Sequence, residues 1–108
     1  EHSFSIYDLK DKYCTSEMNF RDSIKCHVII SPIYDDIINN YSEEELKQME
    51  QNQFKMLVAI KKSVKRKKKD IHEELKKINA LYLWNDFNAD FTSGNILEKT
   101  QDSVENLN

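Results

Sequence analysis

The chain has 108 residues, of which 39% are hydrophobic and 32% are charged, and its formal net charge is −3. It contains one glycine, Gly94, and one proline, Pro32, so turns that depend on these residue types are few. All-β and Rossmann-like folds are therefore disfavoured, and a glycine-rich phosphate loop is excluded because Gly94 has no partner glycine. The length suits one domain with a modest core, without room for a deep enzyme cleft and its scaffold.

A short helix is predicted near the start of the chain. Ser5 and Asp8 have the spacing of a capping box, in which each side chain accepts a hydrogen bond from the backbone N–H of the other residue. Phe4 and Leu9 occupy the positions of a hydrophobic staple around this cap. Together these residues predict a helix over about 6–13.

Two further short helices are predicted before residue 41. The first starts after Ser16 and carries apolar residues at four-residue steps, although residues 26–30 alone are β-branched enough for a short strand. Helix is the preferred interpretation of this segment. Ser31 followed by Pro32 then reads as a cap and a first helical residue, which predicts a brief helix ending at residues 39–40.

The clearest start signal in the chain lies at Ser42. Ser42 and Glu45 form a second capping box, with Tyr41 and Leu46 at the staple positions. Apolar residues then recur at steps of three or four without an obligatory helix breaker. We therefore expect one long amphipathic helix over about 43–85, with two helices and a hidden joint as the alternative. The fold class predicted is all-α, with the short N-terminal helices packed on this helix in a bundle or coiled-coil-like arrangement, formed either within one chain or with a second copy.

The C-terminal part of the chain has a different character. Residues 85–94 are polar apart from the inserted Phe87 and Phe91, and this pattern predicts a connection held in place by its aromatic side chains. The rest is polar, so either a weak amphipathic helix or disorder is expected. We divide the chain into a helical interaction domain, 1–92, and a polar tail, 93–108.

One stripe of the predicted long helix has the spacing of an interface. Several of its residues repeat at seven, as in a coiled-coil seam, but the second seam row is largely polar, which favours packing along a broader stripe. Trp and Tyr at the end of the stripe are typical interface anchors, although they can equally cover the core of their own chain. The predicted partner-interface residues are Leu57, Ile60, Val64, Ile71, Leu75, Ile78, Tyr82 and Trp84.

The net charge is distributed unevenly along the chain. Residues 55–77 hold ten basic and three acidic residues, while both flanking regions are acidic. A basic face opposite the apolar stripe indicates an anionic partner, either nucleic-acid phosphates, a nuclear-import carrier, or an acidic protein or lipid surface; a solvated surface is the plain alternative. The predicted phosphate- or acidic-partner-binding residues are Lys61, Lys62, Lys65, Arg66, Lys68 and Lys69.

The two cysteines, Cys14 and Cys26, are interpreted as reduced thiols, since a secreted domain with a small core usually carries more cysteine. A single disulfide is the alternative, and it is expected if the chain is a secreted helical-bundle ligand. Neither cysteine has the spacing of a zinc motif, and His72 lacks the second histidine of a metalloprotease helix. No metal, cofactor or catalytic residue is therefore predicted.

These patterns predict a non-enzymatic helical module for protein–protein interaction and oligomerisation, within a larger intracellular protein that is nuclear rather than cytoplasmic. Self-association is expected among its interactions. The alternative is a nucleic-acid- or chromatin-binding helical domain that contacts phosphates through residues 61–69 without sequence preference, because these residues include one arginine and no aromatic side chain. Neither a membrane span nor a small-molecule substrate is expected.

Overall fold

The structure, a computed structural model, describes residues 4–97, and every regular element in that range is helical. Helix α1 spans Ile6–Tyr13 and begins at the predicted capping box: the Ser5 hydroxyl accepts from the Asp8 amide, and the Asp8 carboxylate accepts from the Ser5 amide at 2.8 Å. Phe4 and Leu9 are both buried beside this cap. The predicted first helix is thus confirmed, with the bounds expected from its start signal.

The next three elements form one uninterrupted helical stretch. Helix α2 (Phe20–Ile24) is capped by the Asn19 side chain and continues directly into a π-helical segment (Lys25–Ile30) and helix α3 (Ser31–Asn40). Helix was therefore the correct interpretation, and the strand alternative for residues 26–30 is wrong.

Ser31 and Pro32 do not start a new helix, because Ser31 already has helical backbone angles. Its N–H donates to the carbonyl of Cys26, five residues back, as in a π turn. Pro32 has no N–H to give to an ordinary helical bond, and it follows directly after this wider turn. The sequence signal for a helix start at Ser31 was therefore misleading. The predicted end of this helix at residue 40 is confirmed.

The single long helix predicted over 43–85 is divided into three. Helix α4 (Glu43–Gln51) starts at the Ser42–Glu45 capping box as predicted, but ends at Asn52, whose backbone is extended. The Asn52 side chain then caps helix α5 (Gln53–Lys77) by accepting from the Lys55 amide. A continuous helix of that length would measure about 60 Å, whereas the longest dimension of the molecule is 40 Å.

A second break follows at the end of α5. Asn79 has a φ of 55°, in the left-handed region that asparagine tolerates, and its amide bonds to the Lys76 carbonyl as α5 ends. The chain then turns into helix α6, Tyr82–Thr92, which packs back on α5. The predicted connection over 85–94 is thus wrong in its first part, because these residues continue α6 and bury Phe87 and Phe91.

Gly94, at a φ of 86°, ends the last helical turn and leads into a 3-10 turn, Asn95–Leu97, that buries Ile96. The predicted tail therefore contributes one side chain to the core. The rest of it, from residue 98 onward, lies outside the described residues.

One hydrophobic core joins all of these elements. The buried face of α5 packs against α3, α4, α6 and the π-helical segment, while α1 packs on α3 and the π-helical segment. Side chains that are fully buried come from the N-terminal helices as well as from α5 and α6, and include Leu9, Ile29, Ile33, Ile37, Met56, Ile60, Leu75, Leu83 and Phe87. The all-α prediction is confirmed; the structure describes a single copy of the chain.

Candidate interaction surface

The predicted partner-interface residues mostly lie inside the chain's own core. Ile60, Val64, Ile71, Leu75 and Trp84 are buried against other helices, and Leu57 is half-buried at the edge of the same cluster. Ile78 and Tyr82 are exposed at the turn between α5 and α6. The seven-residue spacing on α5 therefore serves packing within one chain, and that stripe is already covered.

The predicted basic residues lie on the opposite, solvent-facing side of α5. All six of them are exposed, and this set is hereafter the basic face: Lys61, Lys62, Lys65, Arg66, Lys68 and Lys69. Lys67, at the edge of the apolar stripe, is partly buried instead. The basic residues thus lie opposite the buried stripe, as the sequence predicted.

Arg66 differs from the lysines because it has an acidic partner in the same chain. Its Nε and Nη2 both donate to one carboxylate oxygen of Asp36 on α3, at 3.1 and 2.5 Å. Desolvation by itself would raise the pKa of the Asp36 carboxyl, but the hydrogen bonds from Arg66 and its positive charge outweigh it. The pKa of Asp36 is therefore held below its usual value, and the pair anchors α5 to α3.

The five lysines of the basic face have no ion-pair partner within residues 4–97. The last three of them continue into an open groove of about 460 Å³ along the second half of α5, which Lys76 also lines. Its lining is completed by His72 and Glu73. Four ammonium groups around one depression, with a single carboxylate among them, give this region a positive potential suited to an anionic surface.

His72 lies where this groove meets the core. Its ring packs edge-on against Trp84 of α6, with 4.8 Å between ring centroids, and its Nε2 is buried without a hydrogen-bond partner in the described part of the chain. Burial, followed by the charges of Lys68 and Lys76, lowers the pKa of His72. The fold therefore favours the neutral imidazole.

Cys14 and Cys26 form a disulfide, which corrects the prediction of two reduced thiols. The bond joins the end of α1 to the π-helical segment, and it leaves neither sulfur free to act as a nucleophile or a metal ligand. Sequence spacing could not pair these residues, because their approach depends on how α1 folds back on the π-helical segment.

A second surface feature was missed altogether by the sequence analysis. An apolar groove opens between α4 and the first turns of α5, and the side chain of Phe54 on its rim is 74% exposed. Phe54 falls off the apolar stripe that leads through Met56, Ile60 and Val64. An aromatic residue that does not fit the periodicity of its helix is the signal that could have identified it.

Comparisons with known proteins give no significant match to this chain. No protein-family model matches the chain, and neither a curated protein nor a solved structure is significantly similar to it. Among the described residues, no helix has the length and apolar character needed to cross a membrane.

Proposed function

We propose that this chain is a non-enzymatic binding module that holds an acidic protein partner on the basic face of α5. The observation that carries the proposal is the contrast between Arg66, which Asp36 neutralises, and the neighbouring lysines, which are exposed and without an ion pair in the described range. Because the other face of the helix is buried, the backbone of α5 holds these lysines together on one side of the molecule. Such a surface attracts an oppositely charged partner and increases the rate of encounter.

An acidic protein fits this surface better than a nucleic acid does. Base recognition relies mainly on Arg, Asn and Gln, and single strands stack on aromatic side chains. The one arginine here is held by Asp36, and no aromatic residue occurs among residues 61–69. A nucleic acid would therefore meet mainly ammonium groups, whose contacts with its phosphates carry little sequence information.

Three potential nucleophiles among the described residues are already engaged, which favours binding over catalysis. Cys14 and Cys26 are bonded to each other, and the fully buried Ser63 donates its hydroxyl to the carbonyl of Ile33 at 3.3 Å. The disulfide also supports an oxidising compartment, because cytosolic and nuclear proteins rarely keep one. We therefore propose such a compartment in place of the nucleus expected from the sequence.

Two polyanions of matched charge test this function: a fluorescent poly-glutamate peptide and a random-sequence DNA duplex, each titrated over a range of salt concentrations. We expect poly-glutamate to bind, and Lys65→Glu/Lys69→Glu to weaken it by about tenfold, or about 1.4 kcal/mol. Lys10→Glu/Lys47→Glu changes the net charge equally on α1 and α4, away from the basic face, and serves as the control.

The control variant should keep the wild-type affinity to within about twofold, because distant exposed charges are screened. Two results would contradict the proposal. One is an equal loss of affinity in both double variants, which would indicate attraction by net charge alone. The other is a marked preference for the duplex with a steep dependence on salt, which would favour phosphate binding instead.

A further inference from the structure

The groove beside Phe54 is a mainly apolar depression on the described surface, and nothing within residues 4–97 fills it. We call it the Phe54 groove; its volume is about 320 Å³. Its floor includes Met49 and Ala59, which are buried, and Phe54 stands on its rim.

Phe54 leaves most of its ring in water although an apolar groove lies directly beside it. Burying such a ring is favourable, since an aromatic side chain carries one of the largest apolar surfaces of any residue. The ring and the groove are thus two complementary parts of one surface. A second copy of the chain would present the same exposed ring and the same groove.

The two walls of the groove carry opposite charges. On the α4 side, Glu45 is held in place by its capping contact, in which its carboxylate accepts from the Ser42 amide at 2.9 Å. On the α5 side are Lys55 and Lys62, which form no ion pair with any described residue. A uniformly acidic partner would match one wall and be repelled by the other.

A two-fold axis resolves this mixed charge. In an isologous interface the same surface faces itself after a 180° rotation, and when the two-fold axis runs parallel to the groove, each wall meets the opposite wall of the other copy. The acidic α4 wall of one chain then faces the basic α5 wall of the second, twice over. The charge pattern of the groove therefore selects a second copy of this chain over an acidic protein.

We infer that two copies of this chain associate through the Phe54 groove about a two-fold axis. Phe54 of each chain enters the groove of the other, and Glu45 of each chain faces Lys62 of the other. This interface uses the first turns of α5. It leaves the second half of the basic face, including Lys65 and Lys69, open for the acidic partner proposed above.

Sedimentation equilibrium over a concentration series tests the association. The wild-type chain is expected to pass from monomer to dimer as its concentration rises, and Phe54→Ser to raise the dimer dissociation constant by at least about tenfold. Phe20→Ser is the matched control, because Phe20 is 77% exposed on α2, nearly the same as Phe54. A wild-type chain that stays monomeric, or equal effects of the two variants, would overturn the inference.

The two-fold arrangement has its own test by charge exchange. Lys62→Glu and Glu45→Lys are each expected to weaken the homodimer, because two attractive contacts become repulsive. In an equimolar mixture of the two variants, both contacts become attractive again, so a heterodimer should form with near wild-type affinity. Glu45→Lys also loses its capping contact. Circular dichroism is therefore used to check that this variant keeps its helix content.

A mixture that associates no better than the separate variants would overturn the two-fold pairing. Lys65→Glu/Lys69→Glu separates this inference from the proposed function. It should weaken poly-glutamate binding while leaving the dimer dissociation constant unchanged. Loss of the dimer in this double variant would show that the interface lies elsewhere on α5.

Discussion

The two faces of α5 differ in composition and in what surrounds them. On one face, Ile60, Val64, Ile71 and Leu75 are almost completely removed from solvent by the other helices of the chain. On the other face, apolar Phe54 and the lysines of the basic face remain exposed. The buried face holds the fold together, whereas the exposed face, apart from the Arg66–Asp36 pair, has no contact among the described residues that accounts for its composition.

This difference shows how an apolar stripe that packs on its own chain can be predicted as a partner interface. The seven-residue spacing marks the face that an apolar environment covers, but it does not say whether the cover is a partner or the same chain. In this molecule α3, α4, α6 and the π-helical segment provide it. Candidate contacts with other molecules are therefore found on the face that the periodicity leaves out.

A substitution that truncates a side chain on the buried face of α5 should reduce stability the most. Leu75→Ala should lower the free energy of unfolding by about 2–5 kcal/mol, because it removes apolar contacts and leaves a cavity. Lys69→Ala, on the exposed face of the same helix, should change it by less than about 0.5 kcal/mol. Urea denaturation followed by circular dichroism measures both values. Similar losses in the two variants would contradict the division into faces.

The Cys14–Cys26 disulfide links α1 to the π-helical segment, which is one of the elements that cover the buried face of α5. Cys14→Ser/Cys26→Ser should destabilise the chain by about 3 kcal/mol, since a loop of this size restricts the unfolded chain by about that amount. The π-helical segment, which bears Cys26, packs directly on α5. The check is urea denaturation of the wild type with and without reductant. If reductant does not destabilise the wild type, or destabilises the double serine variant equally, the expectation is wrong.

At the border between the faces, the Arg66–Asp36 pair links α5 to α3. Asp36→Asn should cost about 1 kcal/mol at pH 7, because Arg66 is partly exposed and solvent screens the pair. The folded pKa of Asp36 lies below its ordinary value of 3.8, so this contribution is present above that value and is lost as the pH falls through the folded pKa. The free energies of unfolding of the wild type and of Asp36→Asn should therefore approach each other in acid.

Denaturation at pH 7 and near pH 3 measures this convergence. Asp35→Asn provides the control, because Asp35 is the exposed neighbour of Asp36 on the same helix. A constant difference between wild type and Asp36→Asn across this pH range would contradict the assignment.

The smallest expected effect concerns His72, where the basic groove meets the core. Because its pKa is lowered in the fold, the unfolded chain binds a proton more readily, and stability falls as the pH drops below the ordinary value of 6.5. His72→Gln should reduce this loss between pH 7 and pH 5. Thermal unfolding of this variant and of the wild type at several pH values measures the difference.

Sequence reasoning succeeded where the controlling interactions are local. The helix starts at Ser5 and Ser42 were predictable because a capping box needs only residues three positions apart. The break at Asn52 was not, although asparagine is a common cap, since nothing in the neighbouring sequence forbids a continuous helix. It is stabilised partly from a distance: the Gln53 side chain donates to the carbonyl of Phe4 at 2.8 Å.

Of the candidate site, the basic face was predictable from charge and helical period alone. The Phe54 groove was not, because it exists only where α4 turns away from α5 at Asn52. The apolar stripe of α5 was predictable from the spacing of its residues, but the elements that cover it were not. Burial depends on which elements meet in space, and this information is absent from the spacing of residues along one helix.

The sequence by itself determined that the chain is helical, where two helices begin, and that α5 has one apolar and one cationic side. These properties follow from hydrogen bonds and side-chain directions within a few residues. Tertiary structure alone decided that Cys14 meets Cys26, that Asp36 neutralises Arg66, and that the apolar stripe is covered by the same chain. Each of these joins elements distant in sequence, so its free energy depends on the packing of the whole core.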